Sequence, residues 1–176
     1  MPKSSKEQID ADEKKIVREL QKNSKESIDK IAKKCGFSRQ KVWRIIKQLE
    51  KNKTIWGYSA VVDNNKIGQK KYFIMVKRTS KTVSQEKINT VMKRKLKKEG
   101  MKIGVVVESS YFTHGVYDWL ACITAENIKQ VKKFCESFNM LSKEGFVSNI
   151  QILEVIFPVE VNNINNPNME EFLSFF

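Results

Sequence analysis

The chain has 176 residues, a formal net charge of +13 and 40% hydrophobic residues, which is enough for one or two domains with real cores. No apolar run approaches the roughly 20 residues that span a bilayer, and the N-terminus lacks the apolar stretch of a signal peptide. We therefore expect a soluble protein with no membrane partner. The cysteines Cys35, Cys122 and Cys135 lack metal-ligand spacing and sit in apolar patterns, which predicts buried thiols in a reducing cytoplasm.

The positive charge is concentrated in the front of the chain. Residues 1–62 hold 16 basic and 8 acidic groups, residues 63–110 hold 13 and 4, and residues 111–176 hold 4 and 8. A basic front and an acidic rear are expected of a protein that meets a polyanion with one side. A generally lysine-rich composition is the alternative, and the acidic last third argues against it.

Three short helices are predicted in the first 50 residues. The first runs from Asp12 to Asn23. The second is N-capped by Ser27 and ends at Cys35, and Gly36 follows it, where a left-handed cap favours a residue without Cβ. Ser38 caps the third. The apolar positions that face inward are Ile16, Val17 and Leu20 in the first helix, Ile28, Ile31 and Ala32 in the second, and Val42, Ile46 and Leu49 in the third.

This pattern predicts a helix-turn-helix that places its last helix in the major groove of double-stranded DNA. Arg39 and Arg44 are candidates for reading guanine, and Gln40 for adenine. Trp43 packs either on the sugar-phosphate backbone or against the first helix. The predicted DNA-binding residues, several of them phosphate contacts, are Lys25, Ser27, Lys30, Ser38, Arg39, Gln40, Lys41, Trp43, Arg44 and Lys47. An ordinary helical hairpin with a solvated face is the alternative.

The rest of the chain alternates strands and helices. Thr54 to Val62 predicts a connecting strand, followed by a turn at residues 63–65. Four more strands are predicted at Tyr72–Thr79, Val105–Phe112, Tyr117–Thr124 and Phe146–Phe157, with helices at Ser84–Glu99 and Glu126–Leu141. Gly100 and Gly145 are predicted to end these two helices. The order βαββαβ predicts a ferredoxin-like domain, and the whole chain is therefore of the α+β class.

The predicted strands are apolar on both faces. Tyr72, Ile74 and Val76 share one face of the first, while Phe73 and Met75 share the other. Two helices cover only one face of a four-stranded sheet, so a second copy of the sheet is the simplest cover for the other face. This predicts a homodimer. A cover supplied by the C-terminal tail is the alternative.

Two further features have more than one interpretation. Basic residues cluster at the end of the helix predicted at 84–99, namely Lys93, Arg94, Lys95, Lys97, Lys98 and Lys102. They are either a solvated face that complements the helix dipole or a second DNA contact. The tail after Pro158 carries four apolar residues near its end, Phe172, Leu173, Phe175 and Phe176, so it is disordered or docks its apolar end on a neighbouring subunit. The lone His114 builds no metal site, and no catalytic set or cofactor motif is present, so no metal, cofactor or enzyme activity is expected.

The sequence resembles the Lrp/AsnC (feast/famine) family of prokaryotic transcription regulators, and we expect an archaeal source. The resembling segments are IDADEKKIVRELQKN (9–23), IAKKCGFSRQKVWRIIKQLE (31–50), WGYSAVVDNNKIG (56–68) and HGVYDWLACI (114–123). Three positions depart from the family pattern. Asp12 and Ile45 stand where the family usually has an apolar residue and an arginine, and Val116 replaces an acidic residue.

The resemblance implies a winged-helix-like DNA-binding domain at residues 1–55, a hinge strand and turn at 56–68, an effector and oligomerisation domain at 69–157, and a tail at 158–176. It implies a dimer, with a tetramer or octamer as larger assemblies, and an amino-acid effector. The effector residues would be Tyr111, Thr113, Gly115, Tyr117 and Asp118, with Asp118 suited to an ammonium group. A largely non-specific architectural DNA-binding protein is the first alternative function. A sirohaem decarboxylase-like enzyme is the second, and the basic helix-turn-helix argues against it.

Overall fold

The computed structural model of the chain describes residues 6–80, 89, 95–142 and 146–175. The chain divides into two compact units, Met1–Val62 with Pro158–Phe176, and Asp63–Phe157. Within the described ranges, no helix is both long and apolar enough to cross a membrane.

The N-terminal unit begins with three helices, α1 at Lys6–Lys22, α2 at Ile28–Cys35 and α3 at Arg39–Lys51. The first helix starts six residues earlier than predicted, because residues 6–11 are helix-forming side chains without a breaker. The buried residues at the centre of the three helices are Ile16, Ile31, Ala32, Val42, Ile45 and Leu49. The three predicted helices are therefore present, and we call this three-helix domain, residues 6–51, the head.

One inward position of α3, Ile45, was missed by the prediction. Ile45 is buried, while Ile46 is only partly buried at the edge of the same core. Positions 42, 45, 46 and 49 form one stripe at helical spacing, and the prediction had taken only three of them. Ile45 is therefore a core residue of the head.

The connecting strand predicted at Thr54–Val62 is absent. Residues 56–63 adopt neither helix nor strand in the structure, and the indole of Trp56 is 94% exposed. A β-rich sequence forms a strand only where another strand satisfies its backbone groups, and none pairs with this segment among the described residues.

The second unit contains a four-stranded antiparallel sheet in the order β2-β3-β1-β4. Its strands are β1 at Lys70–Arg78, β2 at Val106–Phe112, β3 at Trp119–Ala125 and β4 at Val147–Glu154. Two helices, α4 at Lys95–Lys102 and α5 at Ile128–Ser142, pack on one face of it. This confirms the predicted α+β class and the ferredoxin-like strand order.

The core of this unit lies between the sheet and the two helices. Tyr72, Ile74 and Val76 of β1 are buried there, and Val131 and Phe134 of α5 pack on them. The indole of Trp119 stacks on the ring of Phe138 with centroids 5.0 Å apart. Most of the helix predicted at Ser84–Glu99, namely residues 84–88 and 90–94, and the predicted helix end at Gly145 lie outside the described residues.

The helix end predicted at Gly100 was wrong. Helix α4 continues to Lys102, and Gly104 follows with a positive φ of 77°. Gly100 is instead buried against α5, where an added Cβ would lie 3.0 Å from the ring of Phe134. The glycine is there because the two elements approach closely, not because the helix stops.

The other face of the sheet carries exposed apolar side chains, with no described element packed over them. Phe73 is 44% exposed and Leu153 is 51% exposed, and they are register partners on β1 and β4. Met75, Leu120 and Tyr111 continue the same face across β3 and β2. The apolar second face predicted from the alternation is thus present and open.

The segment after Pro158 folds into a two-stranded hairpin and a short 3-10 helix. The strands are β5 at Glu160–Val161 and β6 at Ile164–Asn165, and the 3-10 helix is Met169–Phe175. Asn166 donates from its side-chain amide to the carbonyl of Pro158 at 2.8 Å and so closes the hairpin. This segment belongs to the same compact unit as α1, α2 and α3.

Candidate nucleic-acid interface

Local hydrogen bonds cap α2 and α3 and build the turn between them. Ser27 Oγ accepts from the amide of Lys30 at 3.3 Å, and Ser38 Oγ accepts from the amide of Lys41 at 3.2 Å. Gly36 has φ = +71°, which favours glycine, and the next amide, of Phe37, donates to the carbonyl of Ala32 at 2.9 Å. Both N-caps and the glycine C-cap were predicted, because each depends on neighbouring residues only.

The outer face of α3 carries one continuous polar and aromatic stripe. Gln40, Trp43, Arg44 and Lys47 follow each other at helical spacing, and all four are exposed. The indole of Trp43 has 52% of its surface exposed, so it is accessible from solvent on this stripe. Arg39 lies at the first turn of the same helix and is also exposed.

Most cations of the predicted DNA-binding set have a carboxylate close by. Lys30 lies 3.4 Å from Glu26, Arg39 lies 3.5 Å from Asp29, and Lys47 lies 2.8 Å from Glu50. All three cations are more than half exposed, and such pairs exchange readily with solvent and other anions. Arg44 and Lys25 have no carboxylate within 4 Å among the described residues. Both can therefore bind an anion without first breaking an ion pair.

Lys41 differs from the other predicted contacts because it points into the head. Its ammonium lies 2.6 Å from Oδ2 of Asp12 and 4.1 Å from the centroid of the Phe37 ring. Asp12 is only 2% exposed, and its Oδ1 accepts from the side-chain amide of Gln8 at 2.9 Å. The hydrogen bond from Lys41 holds the pKa of Asp12 below its ordinary value of 3.8.

This pair explains the unusual acid at position 12. A carboxylate enters the helical core because a lysine of α3 neutralises it, and the same contact engages a residue that sequence reasoning had assigned to DNA. The sequence marked Asp12 as a departure from the family pattern, but it did not indicate that Lys41 is its partner.

Two hydrogen bonds to Glu50 stabilise the end of α3. Glu50 accepts from Lys47 at 2.8 Å and from the hydroxyl of Tyr58 at 3.1 Å, and these hydrogen bonds lower the pKa of its carboxyl group. Sequence reasoning had missed the Tyr58 contact, because the residues lie eight positions apart across the end of the helix.

The predicted effector residues lie on and beside the connection between β2 and β3. Thr113 donates from its hydroxyl to the carbonyl of Tyr117 at 2.6 Å, and Gly115 has a φ of +150° with open space where a Cβ would stand. Tyr117 donates to Oε1 of Gln151, and Tyr111 is exposed on the open face of the sheet. The structure therefore brings four of the five into one turn, with Tyr111 on the adjoining strand.

The carboxylate of Asp118 already has two partners. It accepts from the amide of Arg78 at 2.8 Å and from Nε of Arg78 at 3.0 Å, and these interactions lower its pKa. Asp118 thus ties the turn to the end of β1. The described part of the chain contains no group of three or more metal-ligating side chains.

Comparison with known proteins identifies the head. Residues 10–55 match the family model described as winged helix-turn-helix DNA-binding. An uncharacterised HTH-type transcriptional regulator from Pyrococcus abyssi is 44% identical over 61 residues, which cover 35% of this chain and 39% of that protein. The match thus spans about two fifths of the relative's length.

Solved structures match nearly the whole chain. The AsnC family transcriptional regulator from Agrobacterium tumefaciens is similar with a TM-score of 0.58 and 22% identity, over 85% of this chain and 92% of that one. A transcriptional regulator from Neisseria meningitidis, solved as a complex with L-Met, has a TM-score of 0.59 and 18% identity, over 90% and 97%. The chain therefore carries a winged helix-turn-helix DNA-binding domain, and its fold is that of the Lrp/AsnC regulators it was predicted to resemble.

Proposed function

We propose that this protein is a sequence-specific transcription regulator of the Lrp/AsnC type, which acts as a homodimer in the cytoplasm. The observation that carries the proposal is the exposed stripe of Gln40, Trp43, Arg44 and Lys47 on α3, the second helix of the helix-turn-helix in a DNA-binding domain. An α-helix fits the major groove, and side chains of these types read base edges and bind phosphates there.

Within this stripe the roles differ by chemistry. Arg44 lacks an acidic partner among the described residues and is our candidate for a bidentate contact with guanine. Gln40 suits adenine. On DNA binding, Lys47 breaks its ion pair with Glu50 and binds a phosphate instead. Lys25, Ser27 and Lys30 supply phosphate contacts at the start of α2. Lys41 contributes to the interface by holding α1 against α3, which positions its neighbours.

Two substitutions separate base reading from phosphate binding. Arg44→Ala is expected to weaken binding to the preferred sequence by about 1–3 kcal/mol and to relax the preference at one base pair. Lys47→Ala is the matched control, and it is expected to weaken binding to all sequences alike. Affinities for the preferred duplex and its single-base variants are measured at one salt concentration. Uniform weakening by Arg44→Ala would show that this arginine does not read a base.

The proposed dimer forms through the open face of the sheet. Phe73, Met75, Leu120 and Leu153 leave apolar surface there, and the tail belongs to the N-terminal unit instead. A second copy of the same face would bury these side chains at about 25 cal/mol per Å². Two heads in one dimer would read half-sites about one helical turn apart.

A charge on this face tests the dimer. Leu153→Asp is expected to shift the protein towards monomers at micromolar concentration, as measured by sedimentation equilibrium. Met101→Asp is the matched control, because Met101 is comparably exposed on α4, on the opposite side of the sheet. A dimer that survives Leu153→Asp unchanged would place the subunit contact elsewhere.

We also propose that the turn at 113–118 takes part in binding a small effector of the amino-acid class. The Neisseria meningitidis protein of the same fold was solved with L-Met, Gly115 has open space where a Cβ would stand, and Tyr111 on the adjoining strand is exposed. Because Asp118 is engaged by Arg78, an incoming ammonium group would share that carboxylate. Calorimetric titration with single amino acids tests the proposal, with Tyr111→Ala expected to weaken the response. The absence of any heat of binding with every amino acid titrated would argue against the proposal.

A further inference from the structure

The outer surface of the two helices on the sheet is strongly basic. The lysines of α4 and α5 whose side chains are exposed on this surface are Lys95, Lys97, Lys98, Lys102, Lys129, Lys132 and Lys133. The inward side chains of the same helices, including Leu96 and Phe134, pack on the sheet, so these lysines point away from it. We call six of these lysines, Lys95, Lys97, Lys98, Lys129, Lys132 and Lys133, the basic face.

The six lysines of the basic face have no carboxylate within 4 Å among the described residues, whereas Lys102 is paired with Glu99 at 2.8 Å. Elsewhere the chain pairs its lysines often, as with Lys22, Lys34 and Lys70, whose ammonium groups lie 2.6–3.1 Å from glutamates. A cluster of unpaired like charges repels itself and is destabilising unless an anion binds to it.

The helix dipole does not explain the three lysines of α5. A helix favours cations at its C-terminal end, but Lys129, Lys132 and Lys133 stand in the first two turns of α5, at its positive end. The backbone amides there are already capped, because Asn127 Oδ1 accepts from the amides of Lys129 at 3.0 Å and Gln130 at 3.3 Å. The three lysines therefore meet an unfavourable dipole as well as each other.

We propose that the basic face binds the backbone phosphates of duplex DNA, as a sequence-independent contact in addition to the helix-turn-helix. This inference rests on the proposed DNA-binding function and extends it to the second domain. Flexible ammonium groups suit phosphates as point charges. Single-stranded nucleic acid fits less well, because none of the exposed side chains described on α4 and α5 is aromatic and no stacking platform is present.

The test is the salt dependence of DNA binding by the full-length protein. Two variants each remove two charges, Lys95→Gln with Lys98→Gln on α4, and Lys129→Gln with Lys132→Gln on α5. Glutamine has nearly the helix propensity of lysine, so folding is preserved. The control, Lys66→Gln with Lys70→Gln, removes two exposed charges of the same domain that carboxylates already neutralise.

Removal of one lysine–phosphate interaction lowers the slope of log affinity against log salt concentration by about 0.9. Removal of two lowers it by about 1.8, so between 50 and 200 mM salt the wild type should lose roughly 12-fold more affinity than either variant. The probe is a 60-base-pair duplex of random sequence, and light scattering checks that assembly is unchanged.

A shallower slope in both variants but not in the control supports the proposal. Slopes equal to that of the wild type overturn it while the helix-turn-helix function stands. A wild type that does not bind DNA at all overturns both. Weaker binding of the variants to a single-stranded RNA of equal length, with the duplex slope unchanged, assigns the face to another partner and also overturns the proposal.

Discussion

Removal of either partner of the Asp12–Lys41 pair should destabilise the head by unequal amounts. Asp12 is buried, with one oxygen on Lys41 at 2.6 Å and the other on Gln8 at 2.9 Å, whereas the side chain of Lys41 is 34% exposed. Lys41→Met leaves a buried carboxylate with one amide partner and should cost about 2–4 kcal/mol. Asp12→Leu leaves a lysine that turns to water and should cost about 1 kcal/mol or less.

The double variant Asp12→Leu with Lys41→Met should be closer to the wild type than Lys41→Met alone. Replacing a buried ion pair by apolar side chains of similar size is often neutral, and the methionine keeps its contact with Phe37. The expected coupling between the two positions is about 1–3 kcal/mol.

Hydrogen exchange at the core amides of α2 and α3 measures this free energy in the head without requiring the two units to unfold together. Equal losses for the two single variants, or simple additivity in the double variant, would refute the buried pair.

The pair also gives the head a defined response to acid. Lys41 lowers the pKa of Asp12 in the folded state below 3.8, so its contribution to stability is fully present above about pH 4. That contribution is lost as the pH falls through the lowered pKa. The Asp12→Leu variant should lose less stability between about pH 4 and pH 2 than the wild type does.

Three more substitutions or reactions test the structure. Gly100→Ala places a Cβ 3.0 Å from Phe134 and 3.1 Å from the carbonyl of Val105, and should cost the second unit about 1–3 kcal/mol in urea unfolding. Gly57→Ala, with nothing within 4 Å, should be nearly neutral, and equal effects would contradict the contact. Gly36→Ala at φ +71° should lower the stability of the head by about 1 kcal/mol, and an unchanged exchange rate would argue against the left-handed cap. Burial raises the pKa values of the Cys122 and Cys135 thiols to about 11, so iodoacetamide should modify them at about pH 8 only after denaturation; rapid labelling of the native protein, detected by mass spectrometry, would contradict their burial.

Features that depend on neighbouring residues were predictable from the sequence. The caps at Ser27 and Ser38 and the turn at Gly36 follow from local hydrogen bonds and backbone geometry. The burial of Tyr72, Ile74 and Val76 follows from the period of two along a strand. These local rules were enough for the helix-turn-helix and the βαββαβ order.

Features that depend on distant partners were not predictable in the same way. Thr54–Val62 has strong β propensity, but the described part of the chain gives it no strand to pair with. Lys41 looked like its basic neighbours on α3, and only the position of Asp12 on another helix turns it inward. Gly100 ends no helix because Phe134, far along the chain, packs against it.

The proposed regulator must distinguish one DNA sequence from another. Sequences selected from a random duplex library by the full-length protein, with and without an amino-acid pool, provide the preferred site. The ratio of affinities for that site and for random duplex is then measured at one physiological salt concentration. A specific regulator predicts a ratio of roughly 10³ or more. A ratio near one would contradict the proposal and indicate an architectural DNA-binding protein.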